Sequence, residues 1–192
     1  MNPIKVGYCL TGSYCTFQKS LKVLSELLEE GFEVFPMMSD NAYKTDTRFG
    51  KASDFVQQIE QMTGKKVLST ISEVEPIGPK KYIDVMVVSP CTGNTMSKLA
   101  NGITDTAATM AVKACLRNSI PVVIALATND GLGQSAKSLG MMLPVKNVYF
   151  VPIAQDDPVK KPTSLVCDFT KVKDTLLLAL EGKQIEPVII QN

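Results

Sequence analysis

The stretch VVSPCTGNTMSKLANGITDTAATMA, residues 87–111, passes from an apolar run through a polar turn, Pro-Cys-Thr-Gly-Asn-Thr, into a segment of helical character. A short buried strand that ends in a glycine-containing turn and feeds a helix is the unit from which parallel α/β sheets are built. The same alternation extends in both directions from it. Residues 4–10 form a short apolar strand, and residues 17–30 place Leu21, Leu24, Leu27 and Leu28 on one helical face before Gly31 ends the helix. Residues 32–38 read as a second strand, 51–62 as a helix, 83–89 as the strand of the opening stretch, and 95–117 as one helix or two broken near Gly102. A strand at 121–128, a helix at 134–142, a strand at 147–152 and a last helix at 171–181 complete the series. Such alternation predicts an α/β fold with a parallel sheet and helices on both faces. No repeat or low-complexity segment interrupts residues 1–192, which read as a single domain. The composition shifts only at QDDPVKKPT, residues 155–163, so 153–192 is expected to hold an exposed loop, the final helix and a tail.

Charge and residue usage exclude several classes of function. Twenty basic residues face 19 acidic ones, and the lysine pairs at 65–66, 80–81 and 160–161 are separated, so no footprint for a nucleic acid emerges. No apolar run approaches the roughly 20 residues of a membrane span, and MNPIKVGYCLTG lacks the regions of a signal peptide. A cytoplasmic protein without membrane association is expected. The five cysteines, Cys9, Cys15, Cys91, Cys115 and Cys167, are odd in number and lack CxxC spacing, which predicts free thiols. Cys91 lies in the opening turn, but with no base nearby it reads as a small buried residue rather than a nucleophile. The chain contains no histidine. Ser-His-Asp, Cys-His and histidine-metal chemistry within one chain are thereby excluded, and no metal site is expected.

In an open parallel sheet, ligands bind beyond the carboxyl ends of the strands, which selects four turns here: Thr11-Gly12-Ser13, Ser39-Asp40-Asn41, residues 90–95, and Asn129-Asp130-Gly131. Glycine permits close backbone approach, and hydroxyls joined to amides at a helix start can hold a phosphate. Each turn has a structural alternative: Ser13 or Thr16 capping the first helix, Ser39 capping a turn, Asn94 capping a helix that begins at Thr95. Neither GxGxxG after the first strand nor GxxxxGK[ST] is present, so ordinary dinucleotide and P-loop sites lack support. A mononucleotide, with its phosphate at one end and a planar, amide-like ring at the other, suits the four turns.

The run PCTGNT followed by KLANGITD resembles the flavoprotein family of flavin-dependent cysteine decarboxylases, whose motif is Pro-Ala-Ser-Ala-Asn-Thr followed by a Lys-Leu-Ala-Asn-Gly-Ile-x-Asp-like helix. The resemblance extends to Gly12-Ser13, Ser39, Asp84 and PVVIALATN at 121–129, about residues 4–152 in all. It implies an FMN-binding, Rossmann-like three-layer sandwich that assembles as a trimer or a multiple of trimers. By matching positions, Gly12, Ser13 and Ser39 serve the phosphate, while Pro90, Thr92, Gly93, Asn94 and Thr95 meet the flavin or its substrate. Asn129 is what remains of the family's Pro-x-Met-Asn segment. The family's catalytic histidine falls on Pro76, counting back from Asp84, and its glycine-rich carboxyl-terminal clamp has no counterpart in IAQDDPVKKPTSL. An imidazole's proton transfer cannot come from proline.

Within the family, GYCLTGSYCTF, SPCTGNTMSKLANGITD and ALATNDGLGQSAKSLG are most similar to a branch whose members are one subunit of a two-subunit enzyme. That enzyme makes the pyridine dicarboxylate of bacterial spores. The resemblance implies oxidation of a small dicarboxylate, with NAD(P) reaching the site through the partner subunit. Only Arg48 and Arg117 are arginines, and Arg48, in YKTDTRFGK, is the candidate carboxylate clamp; a solvated charged loop is the alternative. Three readings remain open at this point: an FMN-binding subunit of an oxidoreductase, a flavin-dependent decarboxylase or prenyltransferase acting alone, and a non-catalytic assembly subunit.

Overall fold

Each strand sends alternate side chains to opposite faces of the sheet, and here both faces are apolar. The structure, a computed structural model, describes residues 2–191. In β1 (Lys5–Leu10), Val6, Tyr8 and Leu10 join one core and Cys9 the other. After it come α1 (Phe17–Glu29), β2 (Glu33–Met38), α2 (Asp40–Lys44), α3 (Ala52–Thr63) and α4 (Ile71–Val74). β3 (Val85–Cys91) is buried at all seven positions, as a central strand covered on both faces must be. It leads into α5 (Gly93–Ala100) and α6 (Ala107–Arg117), so the stretch 95–117 is two helices. β4 (Val122–Thr128), α7 (Ala136–Met142), β5 (Val148–Phe150), β6 (Ile153–Asp157), β7 (Lys161–Cys167) and α8 (Val172–Leu180) follow.

The sheet runs β2-β1-β3-β4-β7-β6, with β5 also paired to β4. α1, α3 and α8 supply residues to the first core, around Phe17, Leu24, Ile59 and Leu176. α5, α6 and α7 supply the second, around Met96, Val112 and Met142. Full burial of a leucine such as Leu24 or Leu27 contributes about 1.5–3 kcal/mol, so the apolar stripe of α1 dominates its attachment. A buried polar contact adds register: the Tyr8 hydroxyl donates to the Ser20 carbonyl at 2.9 Å, and Ser20 Oγ donates to the Ser89 carbonyl at 2.6 Å. Burial pushes the Tyr8 phenol well above its ordinary pKa, which keeps it a neutral donor.

The sheet is parallel from β2 to β5, but β7 and β6 join it antiparallel. Residues 155–163, expected as an exposed loop, are instead part of a β-hairpin. β4 is shared along its length: Val122 to Ile124 pair with β5, whereas Ala127 and Thr128 pair with Val166 and Leu165 of β7. Pro152, which has no N–H, lies where the chain leaves β5 for the hairpin. All five cysteines are unpaired, and among the described residues no helix is long and apolar enough to cross a membrane.

Candidate functional site

The turns after β1 and β3 are fastened to each other by one side chain. Thr11 is buried; its Oγ1 donates to the Pro90 carbonyl at 2.8 Å and accepts from the Thr92 N–H at 2.9 Å. Its own N–H reaches the same Pro90 carbonyl at 3.2 Å. Thr92 then caps α5, accepting from the Thr95 N–H at 3.1 Å. The cap is therefore Thr92 and not Asn94, and α5 begins at Gly93, two residues earlier than the expected start at Thr95. Asn94 is exposed at the second helical position and makes no side-chain hydrogen bond among the described residues.

Three cavities meet at this turn. The first, of about 660 Å³, is lined by Gly12, Ser13, Arg48, Thr92, Gly93, Asn94 and Asn129 among others, so turns after three strands converge on it. The second, of about 490 Å³, is lined by Ser39, Gly12, Asn94, Thr95 and Lys98. A third, polar groove of about 490 Å³ runs from Asn94 between α5 and α7. Asn94 is the residue common to all three. Tyr14 borders the first two, with its hydroxyl donating to the Asn41 carbonyl at 2.8 Å.

Individual residues fare differently from their sequence expectations. Neither Ser13 nor Thr16 caps α1 with its side chain; Thr16 Oγ1 turns back to the Ser13 carbonyl at 2.8 Å. Ser39 does cap, accepting from the Ala42 N–H of α2 at 3.4 Å, while also lining the second cavity. Pro90 is buried in β3 and acts through its carbonyl on Thr11 rather than as part of a cavity wall. At Gly93 a Cβ would come within 2.5 Å of Thr128 Oγ1 and 2.7 Å of Ser135 Oγ, so packing against β4 and α7, not ligand approach, requires glycine there. Cys91 is fully buried, and burial pushes its thiol up to about 12, which makes it inert as a nucleophile near neutral pH.

Sequence reasoning missed part of the first cavity's wall. Lys19 of α1 lines it, as do Lys161, Ser164 and Val166 of the hairpin. The hairpin is tied to the turn after β4 where Thr163 Oγ1 donates to the Asn129 carbonyl at 2.7 Å. Lys161 is neutralised by Asp156 at 2.6 Å, whereas Lys19 and Arg48 have no ion-pair partner among the described residues. The cavity therefore carries surplus positive charge.

A flavin mononucleotide fits these residues. The N–H groups of Gly12, Gly93 and Asn94 donate to no acceptor among the described residues, and Gly93 and Asn94 are first-turn positions whose amides have no intrahelical partner. Uncommitted amides and the Ser13 hydroxyl suit a phosphate or a ring carbonyl, and the cavity volumes fall in the range of cofactor sites. FMN is accordingly expected to bind more tightly than riboflavin, by roughly tenfold or more, because only FMN brings an anion. Titration of both ligands checks this, and equal affinities would remove the phosphate role.

Comparison with known proteins places these features in context. The family model described as Flavoprotein matches residues 1–175. The B subunit of dipicolinate synthase from Bacillus subtilis (strain 168) is 43% identical over 188 residues, covering 98% of this chain and 94% of that protein. The crystal structure of the dipicolinate synthase B subunit from Bacillus halodurans C superposes with a TM-score of 0.89 at 41% identity, covering 99% of this chain and 98% of the other. The FMN-dependent cysteine decarboxylase SpaF shares the fold, with a TM-score of 0.70 at 18% identity over 94% of this chain and 98% of its own.

Proposed function

We propose, from the premise that this chain belongs to the flavoprotein family, that it is the FMN-binding subunit of a dipicolinate synthase. Its substrate is a hydroxytetrahydrodipicolinate or the dihydrodipicolinate derived from it, and its partner is the A subunit of dipicolinate synthase. The observation that carries this reading is a cavity of about 660 Å³ at the strand ends bordered by two cations that have no ion-pair partner among the described residues, in a chain 43% identical to the B subunit of a dipicolinate synthase. A planar cofactor and a dianionic substrate are the pair that such a cavity suits.

The reaction removes water from the hydroxylated ring, then two hydrogens, one as a hydride and one as a proton, to leave an aromatic pyridine. FMN would supply a two-electron acceptor when bound, and oxidised NAD(P)+, reaching the site through the partner subunit, would take those electrons from the reduced flavin. Gly12, Ser13 and Ser39 hold the phosphate. Thr92, Gly93, Thr95 and Asn129 shape the ring's surroundings, and Pro90 positions them through Thr11. Asn94, with one acceptor and two donors at the junction of three cavities, orients the substrate against the ring. Arg48 holds a substrate carboxylate. The decarboxylase reading is set aside because Pro76, in the 3-10 turn Glu75–Ile77, is the position that the count back from Asp84 assigns, by the resemblance, to the family's imidazole. The setting that follows is the mother-cell cytoplasm of a spore-forming bacterium, with the chain in a homotrimer or a multiple of it.

The deciding assay follows dipicolinate formation with this chain alone, with only the A subunit, and with both. Formation that requires both chains is expected; full activity from only the A subunit would refute a catalytic contribution. In the assembled enzyme Arg48→Ala is expected to raise the substrate KM about five- to tenfold through loss of a charge-assisted hydrogen bond, with FMN affinity unchanged. Arg48→Lys should restore part of that loss, since a lysine cannot make the bidentate contact. Unchanged kinetics in Arg48→Ala would remove the clamp.

A further inference from the structure

The loop carrying Arg48 is more rigidly built than a solvated charged segment needs to be. Thr47 and Gly50 exchange backbone hydrogen bonds, the Thr47 N–H to the Gly50 carbonyl at 3.0 Å and the Gly50 N–H to the Thr47 carbonyl at 3.1 Å. The Phe49 N–H donates to Thr47 Oγ1 at 3.2 Å, and Asp46 Oδ1 accepts from the Ala52 N–H at 2.8 Å, which fixes the turn to the start of α3. Gly50 has φ 145°, and a Cβ there would press on the Phe55 ring at 3.0 Å, so this turn admits only glycine at its end. The locked backbone presents two adjacent side chains to the 660 Å³ cavity. The Arg48 guanidinium lies 4.9 Å from the centroid of the Phe49 ring, and Phe49 remains 44% exposed.

An aromatic ring held at a turn tip, with a guanidinium stacked on it and a second cation, Lys19, that lines the same cavity and like Arg48 has no ion-pair partner among the described residues, is a matched set for one chemistry. The cavity's acid, Asp156, is already engaged by Lys161 and does not cancel that charge. We propose that Phe49, Arg48 and Lys19 recognise a planar six-membered ring bearing carboxylates, Phe49 by stacking and the two cations by holding the anionic groups. The inference rests on the proposed function for the identity of the ligand, and it adds that the site discriminates by planarity. A flat ring stacks on Phe49 over its whole face, whereas a puckered saturated ring touches it at a few atoms. The stacked guanidinium is pre-oriented, so its planar fork meets a carboxylate with little ordering cost.

Calorimetric titration of the purified chain, in the assembly it forms and with FMN loaded, tests this with two probes: pyridine-2,6-dicarboxylate and cis-piperidine-2,6-dicarboxylate. The planar probe is expected to bind about five- to tenfold more tightly than the saturated one. Phe49→Leu should erase most of that preference; because it also releases the guanidinium stacked on the ring, both probes should weaken, the planar one several-fold more than the saturated one. Lys19→Gln should weaken both probes by roughly fivefold and reduce the salt dependence of binding, leaving the preference intact. No binding of either probe, an unchanged preference in Phe49→Leu, or unchanged affinities in Lys19→Gln would each overturn the proposal. These titrations need neither the partner chain nor turnover, so a chain that binds as described yet makes no dipicolinate with its partner refutes the proposed function and not this inference.

Discussion

Asn94→Asp is expected to lower turnover of the proposed two-subunit enzyme by on the order of 100-fold while thermal stability stays within about 1 °C of wild type. The substitution preserves shape but replaces two amide donors with a charge that would repel the proposed dianionic substrate. A helix-capping role would make Asn94→Ala destabilising by about 1 kcal/mol and would spare Asn94→Asp, since aspartate caps as well as asparagine. The structure gives that duty to Thr92, whose Oγ1 accepts from the Thr95 N–H, and leaves the Asn94 side chain without a hydrogen bond among the described residues, at the meeting point of three cavities. Both Asn94 variants should therefore melt with wild type. Steady-state kinetics and thermal denaturation, measured on the same preparations, separate the two roles. Full activity in Asn94→Asp would withdraw the residue from the site.

Gly93→Ala is the second large effect, and it acts on the scaffold. An added methyl meets Thr128 Oγ1 and Ser135 Oγ at distances that ordinary contacts never show, so α5 must shift from β4 and α7. Overpacking of this kind costs about 1–3 kcal/mol, and because the turn it displaces also aims the Gly93 and Asn94 amides, FMN affinity should fall with stability. Chemical denaturation and flavin titration measure the two losses. A variant as stable as wild type would mean that the neighbouring hydroxyls rotate away at little cost.

The outlines of the fold were legible because the parallel strands are short apolar runs bounded by polar turns, and the helices α1 and α3 carry their leucines, phenylalanine and isoleucine on one face. The hairpin was not legible. Asp156, Asp157, Pro158, Lys160 and Lys161 read as a loop by composition, and what makes the segment a hairpin is tertiary: Ala127 pairs with Val166, and Leu165 and Cys167 are buried beneath. One-turn helices such as α2 and α4 offer no periodicity, although Thr70 and Glu73 of α4 form a capping box that sequence spacing alone could have suggested.

The candidate site divides along the same line. Strand-end turns were legible because topology alone sends them to one edge, and Gly12, Ser13, Arg48, Thr92, Gly93, Asn94 and Asn129 do line one cavity. Two details were beyond the sequence. Thr92 and Asn94 are both good capping residues two positions apart, and only the backbone decides which one is spent on the helix. Lys19, in the first turn of α1, looks like an ordinary solvated lysine until the neighbouring turns are placed around it. That it has no ion-pair partner among the described residues is visible only in three dimensions.

The central proposal is that the cavity at the strand ends would hold a flavin able to accept the electrons of ring oxidation. The direct measurement is an anaerobic mixing experiment, in which the FMN-loaded chain and its partner chain, free of NAD(P), are given the dihydro substrate while flavin absorbance and dipicolinate are followed together. The account predicts bleaching of the flavin, with one dipicolinate formed for each flavin reduced, and bleaching slowed by on the order of 100-fold when Asn94→Asp replaces the wild-type chain. Dipicolinate formed only after NAD(P) is added, with the flavin spectrum unchanged throughout, would contradict it.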